Sequence, residues 1–167
     1  MYCMDNFTVP AYMQEMIKAS GQGLDNLVLT LAKLVNQPVI VASSAYKLIS
    51  ASSRYDFELF QVQLDSPKVD NNTLFLCRLS AGTFQARAVG QAIAPAGCIL
   101  GYIFILWEVN NSEPDINKSL LDYAASLCAV HLQSRLELKQ ELNKFKNSFL
   151  YDLLYGNLNR NEDTIAT

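Results

Sequence analysis

The chain has few of the side chains on which enzyme active sites and metal centres depend. It contains one histidine, His131, and none of its four cysteines stands in a CxxC spacing. A Ser-His-Asp or Cys-His arrangement could therefore be completed only through His131, which lies inside an apolar helical segment. No HxxxH, HExxH, GxGxxG or P-loop pattern is present. The sequence predicts no catalytic residue, no metal site and no cofactor, and it favours a structural or interface role for His131.

Positive charge and long apolar runs are also scarce. Thirteen Lys and Arg residues against sixteen Asp and Glu residues give a net charge of −3, whereas binding to nucleic-acid phosphates needs a surplus of cations. The longest apolar run, CILGYIFILW, is too short to span a membrane, and the opening MYCMDNFTVP is unlike a secretion signal. We therefore expect a cytoplasmic protein with free thiols, without membrane contact and without nucleic-acid binding of its own.

The composition that remains favours a folded domain. Half of the residues are hydrophobic and 17% are charged, which is enough apolar surface for a proper core. Helical spacing is present in YMQEMIKAS and LDNLVLTLAKLVNQ, and the next two runs, PVIVAS and KLISASS, indicate a strand hairpin. Residues 54–72 lose all periodicity and are predicted to form a long connection with at most one helical turn.

Three more strands and a long helix complete the predicted order. The strands are TLFLCRLS, TFQARAVGQAI and GCILGYIFILWE, and the last is apolar on both faces, which is typical of a central strand. From Asp115 to Tyr155 the chain is predicted to be one helix. The predicted fold class is α+β, with N- and C-terminal helices on one face of an antiparallel sheet and the irregular middle segment on the other.

Two stretches resemble known families. LAKLVNQPVIVASSAYKLISASS resembles the helix-to-hairpin opening of GAF-type sensor domains, although SSAYK stands where an Asp and a Gly are usual. LLDYAASLCAVHLQSRLELKQELNKFKNSFLYDLLYGNL resembles the linker of bacterial transcription regulators of the PucR/CdaR type. That linker ends in an F...LL.G pattern, which is matched here by Phe149, Leu153, Leu154 and Gly156.

The resemblance implies a division of the chain. A GAF-like sensor domain is expected at 7–133, a helical shaft at 134–156, and the start of a truncated downstream region at 157–167. DNA would then be contacted only through domains that are absent from this chain.

A coiled-coil seam is predicted in the second half of the long helix. Its members follow alternating steps of four and three and are Leu138, Leu142, Phe145 and Phe149. Another stripe is expected to face the domain's own sheet: Leu121, Ala125, Cys128 and Leu132. We therefore expect the helix to pack on its domain until about Gln133, and then to run free or to pair with a second copy as a homodimer. The alternative is a helix folded back on one monomer.

Ligand contact is predicted on less specific grounds. Arg78 and Arg87 fall in strands of an otherwise apolar sheet, and a buried guanidinium needs an anionic partner or ligand. The resemblance implies a ligand between the sheet and the loops over its far face. The candidate ligand-binding residues are Arg78, Arg87, Tyr55, Phe57 and Gln85. Two alternatives stay open: a solvated polar strand around the arginines, and an aromatic plug rather than an aromatic lid in the loop.

Three functions follow from these observations. The first is a non-catalytic sensory domain that binds a small effector, such as a purine derivative or a sugar diacid, and relays the signal through the long helix. The second is a structural dimerisation module without a ligand. The third is a cysteine-dependent redox enzyme of the GAF fold, in which Cys77 and Cys98 would be neighbours.

Overall fold

The structure is a computed structural model that describes residues 10–65 and 74–156. It opens with two helices, α1 (Ala11–Gln22) and α2 (Leu24–Val35), with Gly23 at φ 125° between them. Helix α2 ends where Asn36 adopts a left-handed conformation and donates its backbone N–H to the carbonyl of Ala32. Such a left-handed residue satisfies a free carbonyl of the last helical turn.

Six strands follow and form one antiparallel sheet. They are β1 (Val39–Ser43), β2 (Leu48–Ala51), β3 (Gln61–Leu64), β4 (Phe75–Ala81), β5 (Phe84–Ile93) and β6 (Gly101–Trp107). The order across the sheet is β2-β1-β6-β5-β4-β3. Every residue of β6 is buried, which confirms the prediction of a central strand covered on both faces.

The last elements are helix α3 (Lys118–Tyr151) and a π-helical turn (Asp152–Gly156). The helix starts three residues later than the sequence predicts. The reason is that Asn117 caps it, its side-chain oxygen accepting the backbone N–H groups of Ser119 at 3.0 Å and of Leu120 at 3.4 Å.

The α+β fold class is confirmed, with the helices on one face of the sheet. Helices α1, α2 and the first half of α3 pack with the side chains of one sheet face into a single core. The predicted stripe Leu121, Ala125, Cys128 and Leu132 is buried in that core. Ser20 of α1 and His131 of α3 add a polar link, with Oγ and Nε2 2.9 Å apart.

The opposite face carries a layer of aromatic rings. Its members are Tyr46, Tyr55, Phe57, Phe60, Phe75, Phe84, Tyr102 and Phe104. We call this set the aromatic layer; its neighbouring ring centroids lie between 5.0 and 6.5 Å apart. Tyr46 takes part although its φ is 60°, a conformation that bulky residues rarely adopt.

The sequence-based description of residues 54–72 was wrong in one respect. The segment contains strand β3, which extends the sheet at its edge by pairing with β4, Gln63 facing Arg78. Residues 66–73 of the segment lie outside the described part.

The chain divides into two compact units, Met1–Leu132 and Gln133–Thr167. Buried positions of α3 end at Leu132, and each described position of the helix after it is exposed. The region predicted at 157–167 lies outside the described residues, as do residues 7–9. No helix in the described part of the chain combines the length and apolar content needed to cross a membrane.

Candidate ligand site

A cleft lies at the end of the sheet where β5 begins and β6 ends. Its volume is about 280 Å³, slightly below the range of roughly 300–1,000 Å³ that is usual for small-molecule pockets. It is lined by Gln37, Pro38, Tyr55, Phe84, Gln85, Ala86, Leu106, Trp107, Glu108 and Asn111. Two of the residues predicted from the sequence, Tyr55 and Gln85, therefore line one cavity.

Trp107 is the buried centre of this region. It is 4% exposed and stands opposite Arg87 in the sheet register. The guanidinium carbon of Arg87 lies 5.7 Å from the centre of the Trp107 ring, a cation–π distance. Arg87 is thus tied to a residue that lines the cleft.

Two nitrogen donors in this region have no acceptor. Nε1 of Trp107 and Nε of Arg87 are both buried, and neither has a hydrogen-bond partner among the described residues. A buried donor without an acceptor costs about 1–3 kcal/mol. Among the described residues Arg87 forms one ion pair, between its Nη2 and Oδ2 of Asp65 at 3.4 Å, and this long, partly exposed contact contributes little to stability.

Arg78 stands directly opposite Arg87 on the neighbouring strand. Two like charges at this position repel one another, and Asp65 is the one carboxylate within ion-pair distance of either among the described residues. Arg78 is exposed. Asp65 offsets one of these two charges, and Glu108 contributes a carboxylate to the lining of the cleft itself.

Tyr55 and Phe57 occupy the other side of the sheet from the arginines. Their rings lie 5.2 Å apart, and Phe57 is 5.0 Å from Phe84. Burial raises the pKa of the Tyr55 phenol, and a hydrogen bond with Ser53 acts in the opposite direction. Tyr55 is therefore a neutral donor at the rim of the cleft at physiological pH.

The expectation of a ligand between the sheet and the loops over its far face is corrected in one point. Arg87 and Gln85 alternate with Ala86 and Ala88, which belong to the core on the side of the aromatic layer. The arginine and the glutamine therefore lie on the helix-bearing face. The aromatic layer fills the far face of the sheet beneath the loop. Phe57 is part of this layer and packs against the sheet, which is the second of the two alternatives that the sequence allowed for the loop aromatics.

The two cysteines of the redox alternative are not neighbours. Cys77 is buried in β4 opposite Ala88 in the middle of β5, whereas Cys98 lies exposed in the turn after Ile93. Burial, aided by the charge of Asp65, raises the pKa of the Cys77 thiol to about 12, which leaves it a poor nucleophile.

A second surface lies on the far half of α3. All four seam residues are exposed: Leu138 at 57%, Leu142 at 51%, Phe145 at 69% and Phe149 at 55%. Apolar side chains at this spacing are typical of a helix that packs against another helix.

A scan against protein-family models found no match to this chain, and a search of curated proteins also found none.

Within the described residues, no group of His, Cys, Asp and Glu is placed to hold a metal ion.

Sequence reasoning missed Trp107 and the pair formed by Gln91 and Asp122. Gln91 is 4% exposed, and its Nε2 donates to Oδ1 of Asp122 at 2.5 Å. A signal for the tryptophan was available, since it is the only one in the chain and ends the most apolar strand. The Gln91–Asp122 pair joins elements far apart in sequence and had no local signal.

Proposed function

We propose that this chain is a non-catalytic regulatory module, the sensory part of a cytoplasmic bacterial transcription regulator. It pairs with a second copy through the seam and relays the binding of a small effector through helix α3. The observation that carries the proposal is the exposed seam on a helix whose first half is buried in the domain. The resemblance of residues 120–158 to a regulator linker supports the same function.

The seam needs a partner for a simple energetic reason. Burying a large apolar side chain contributes about 1.5–3 kcal/mol, and four such side chains are more than half exposed on one stripe of the helix. A second copy offers an identical stripe, so both surfaces leave water together.

The charges beside the seam favour a parallel homodimer. Lys139 and Lys146 follow the first and third seam residues, whereas Glu141 precedes the second. In a parallel pair, Glu141 of one copy faces Lys146 of the other, and flanking pairs of this kind set orientation. An antiparallel pair would bring like charges together.

The link between cleft and helix is strand β5. It carries Gln85, which lines the cleft, and, further along, Gln91, whose amide donates a hydrogen bond to Asp122 of α3. An effector that favours one position of β5 would bias the packing of α3. This mechanism requires only that the effector binds with different affinity to two packing arrangements of α3.

Sedimentation equilibrium of the whole chain tests the pairing. Leu142→Asp places a charge in the seam and is expected to convert dimer to monomer. Leu136→Asp is the matched control, because Leu136 is 45% exposed but lies off the seam. A dimer that persists in Leu142→Asp, or that Leu136→Asp also abolishes, would sink the proposal.

A structural dimerisation module without a ligand is the second candidate. The aromatic layer favours it, because side chains of the chain itself fill the far face of the sheet. A thermal-shift measurement distinguishes the two candidates. The melting temperature of a sensor rises when its effector binds, and the melting temperature of a structural module does not change. The compounds to test include the purine derivatives and sugar diacids that the resemblance implies.

A further inference from the structure

The charge in the lining of the cleft is negative. Among the described residues that line it, Glu108 is the one charged side chain, and a carboxylate only accepts hydrogen bonds. Gln37, Gln85 and Asn111 add three carboxamides, each with an oxygen that is also an acceptor. The lining therefore favours a ligand that brings positive charge and N–H donors.

The two arginines of the sheet lie outside the cleft. Neither Arg78 nor Arg87 is among the residues that line it. The Arg87 guanidinium lies over the Trp107 ring on the helix-bearing side of the sheet and pairs with Asp65. Its charge is thus already offset, and Glu108 sets the sign of the charge that a ligand in the cleft meets directly.

The apolar wall of the cleft suits a flat ring. Tyr55, Phe84 and Leu106 line it and belong to the core on the side of the aromatic layer. The Tyr55 and Phe84 rings stand edge to face, with centroids 5.3 Å apart. Aromatic surfaces of this kind pack well against another ring and attract cations. The volume of about 280 Å³ limits the ligand to about one substituted ring.

We infer that this cleft binds a small aromatic cation, an amine or amidine on a single flat ring, with Glu108 as its counter-ion and the Tyr55 and Phe84 rings against its body. The inference rests on the proposed function, because it names the effector class of the proposed sensor. Of the two classes that the resemblance implies, a sugar diacid would be repelled by the Glu108 carboxylate.

Three probes of one shape separate the effect of charge from that of shape. Benzamidine, benzamide and benzoate share a ring and a planar substituent, and they are cationic, neutral and anionic. NMR titration of the ¹⁵N-labelled whole chain gives an affinity for each, and Trp107, the only tryptophan, provides one indole resonance at the cleft. Benzamidine is expected to bind saturably and at least about threefold more tightly than benzamide, and benzoate is expected to bind most weakly.

Matched variants locate the binding site. Glu108→Gln keeps the size of the side chain and should weaken benzamidine about twofold to fivefold at low ionic strength, with no change for benzamide. Glu113→Gln is the control, because Glu113 is an exposed acid in the same connection after β6 and lines a different cavity. Gln85→Lys places a cation in the lining and should weaken benzamidine, whereas Gln85→Glu should tighten it. Arg87→Gln should not weaken it.

Three results would overturn the inference. They are the absence of a saturable response to benzamidine up to about 10 mM, a benzoate affinity equal to or above that of benzamidine, and an unchanged benzamidine affinity in Glu108→Gln. The test is independent of pairing. A bound cation with a monomeric chain defeats the pairing alone, and a seam-dependent dimer that binds no benzamidine defeats this inference alone.

Discussion

Gly101 begins β6 opposite Ser43 of β1, and a side chain at this position would collide with the neighbouring strand. A Cβ atom at this position would be 2.3 Å from the carbonyl oxygen of Ala42 and 3.1 Å from Cδ1 of Leu132. The first contact is with backbone, which cannot move without disturbing the central strands.

Gly101→Ala should therefore reduce the free energy of unfolding by about 1–3 kcal/mol. Urea denaturation followed by circular dichroism measures the change. Gly21→Ala is the control, because Gly21 lies in α1 with nothing within 4 Å of an added Cβ and should gain up to about 1 kcal/mol. Equal effects at the two glycines would contradict the close approach.

The Gln91–Asp122 hydrogen bond leads to a second prediction at this scale. Asp122→Ala removes the acceptor and leaves the buried amide of Gln91 unpaired, at a cost of about 1–3 kcal/mol. Adding Gln91→Met should recover much of the loss, since both polar partners are then gone. A double variant less stable than Asp122→Ala, measured by the same denaturation, would show that the amide is satisfied in another way.

At the scale of elements, the charges beside the seam decide its orientation. Glu141→Lys should weaken dimerisation about threefold to tenfold at low salt, because two copies of one ion pair are lost. Combining Glu141→Lys with Lys146→Glu should restore it. Sedimentation at low and high salt measures both, and a double variant as weak as the single one would rule out the parallel arrangement.

Helices and strands with a regular spacing of apolar residues were predictable from the sequence. Strand β3, which is ordered by pairing with another strand, was not. Helix α2 and strand β6 are visible in the sequence because their own apolar spacing determines what they bury. Strand β3 has four half-buried or exposed residues, and its backbone is ordered by pairing with β4. No window along residues 61–64 could reveal that partner.

At the scale of the whole molecule, buried thiols make stability fall in alkaline solution. Burial raises the pKa of the Cys128 thiol from its ordinary value of 9.0 to about 12. Between these values the unfolded chain releases the proton and the folded chain keeps it, so rising pH favours unfolding. The loss from Cys128 at about pH 10 is on the order of 1 kcal/mol.

Urea denaturation at about pH 8 and about pH 10 tests this difference. Cys128→Ala should show a smaller drop in unfolding free energy between the two pH values than the parent chain, whatever its stability at the lower one. Cys98→Ala, at an exposed cysteine, should show the same drop as the parent. An equal drop in all three would mean that Cys128 is not the titrating group.

The candidate site shows the same division between local and distant information. Gln85 and Arg87 share a sheet face by simple alternation, which the sequence alone predicted and the register confirms. The sequence did not predict that Tyr55 and Gln85 line the same cleft. Tyr55 lies in a loop and Gln85 near the start of β5, and the two come together only at the end of the folded sheet.

Periodicity within single segments was enough to predict the α+β class, most helices and strands, the buried stripe of α3 and the seam. Three other features became known only from the folded chain: the sheet face that carries Arg87, the pairing of β3 at the edge, and the contacts of Trp107 with both the cleft and the Arg87 guanidinium. Those features depend on contacts between residues far apart in the chain, where burial and pairing, and not local preference, set the free energy.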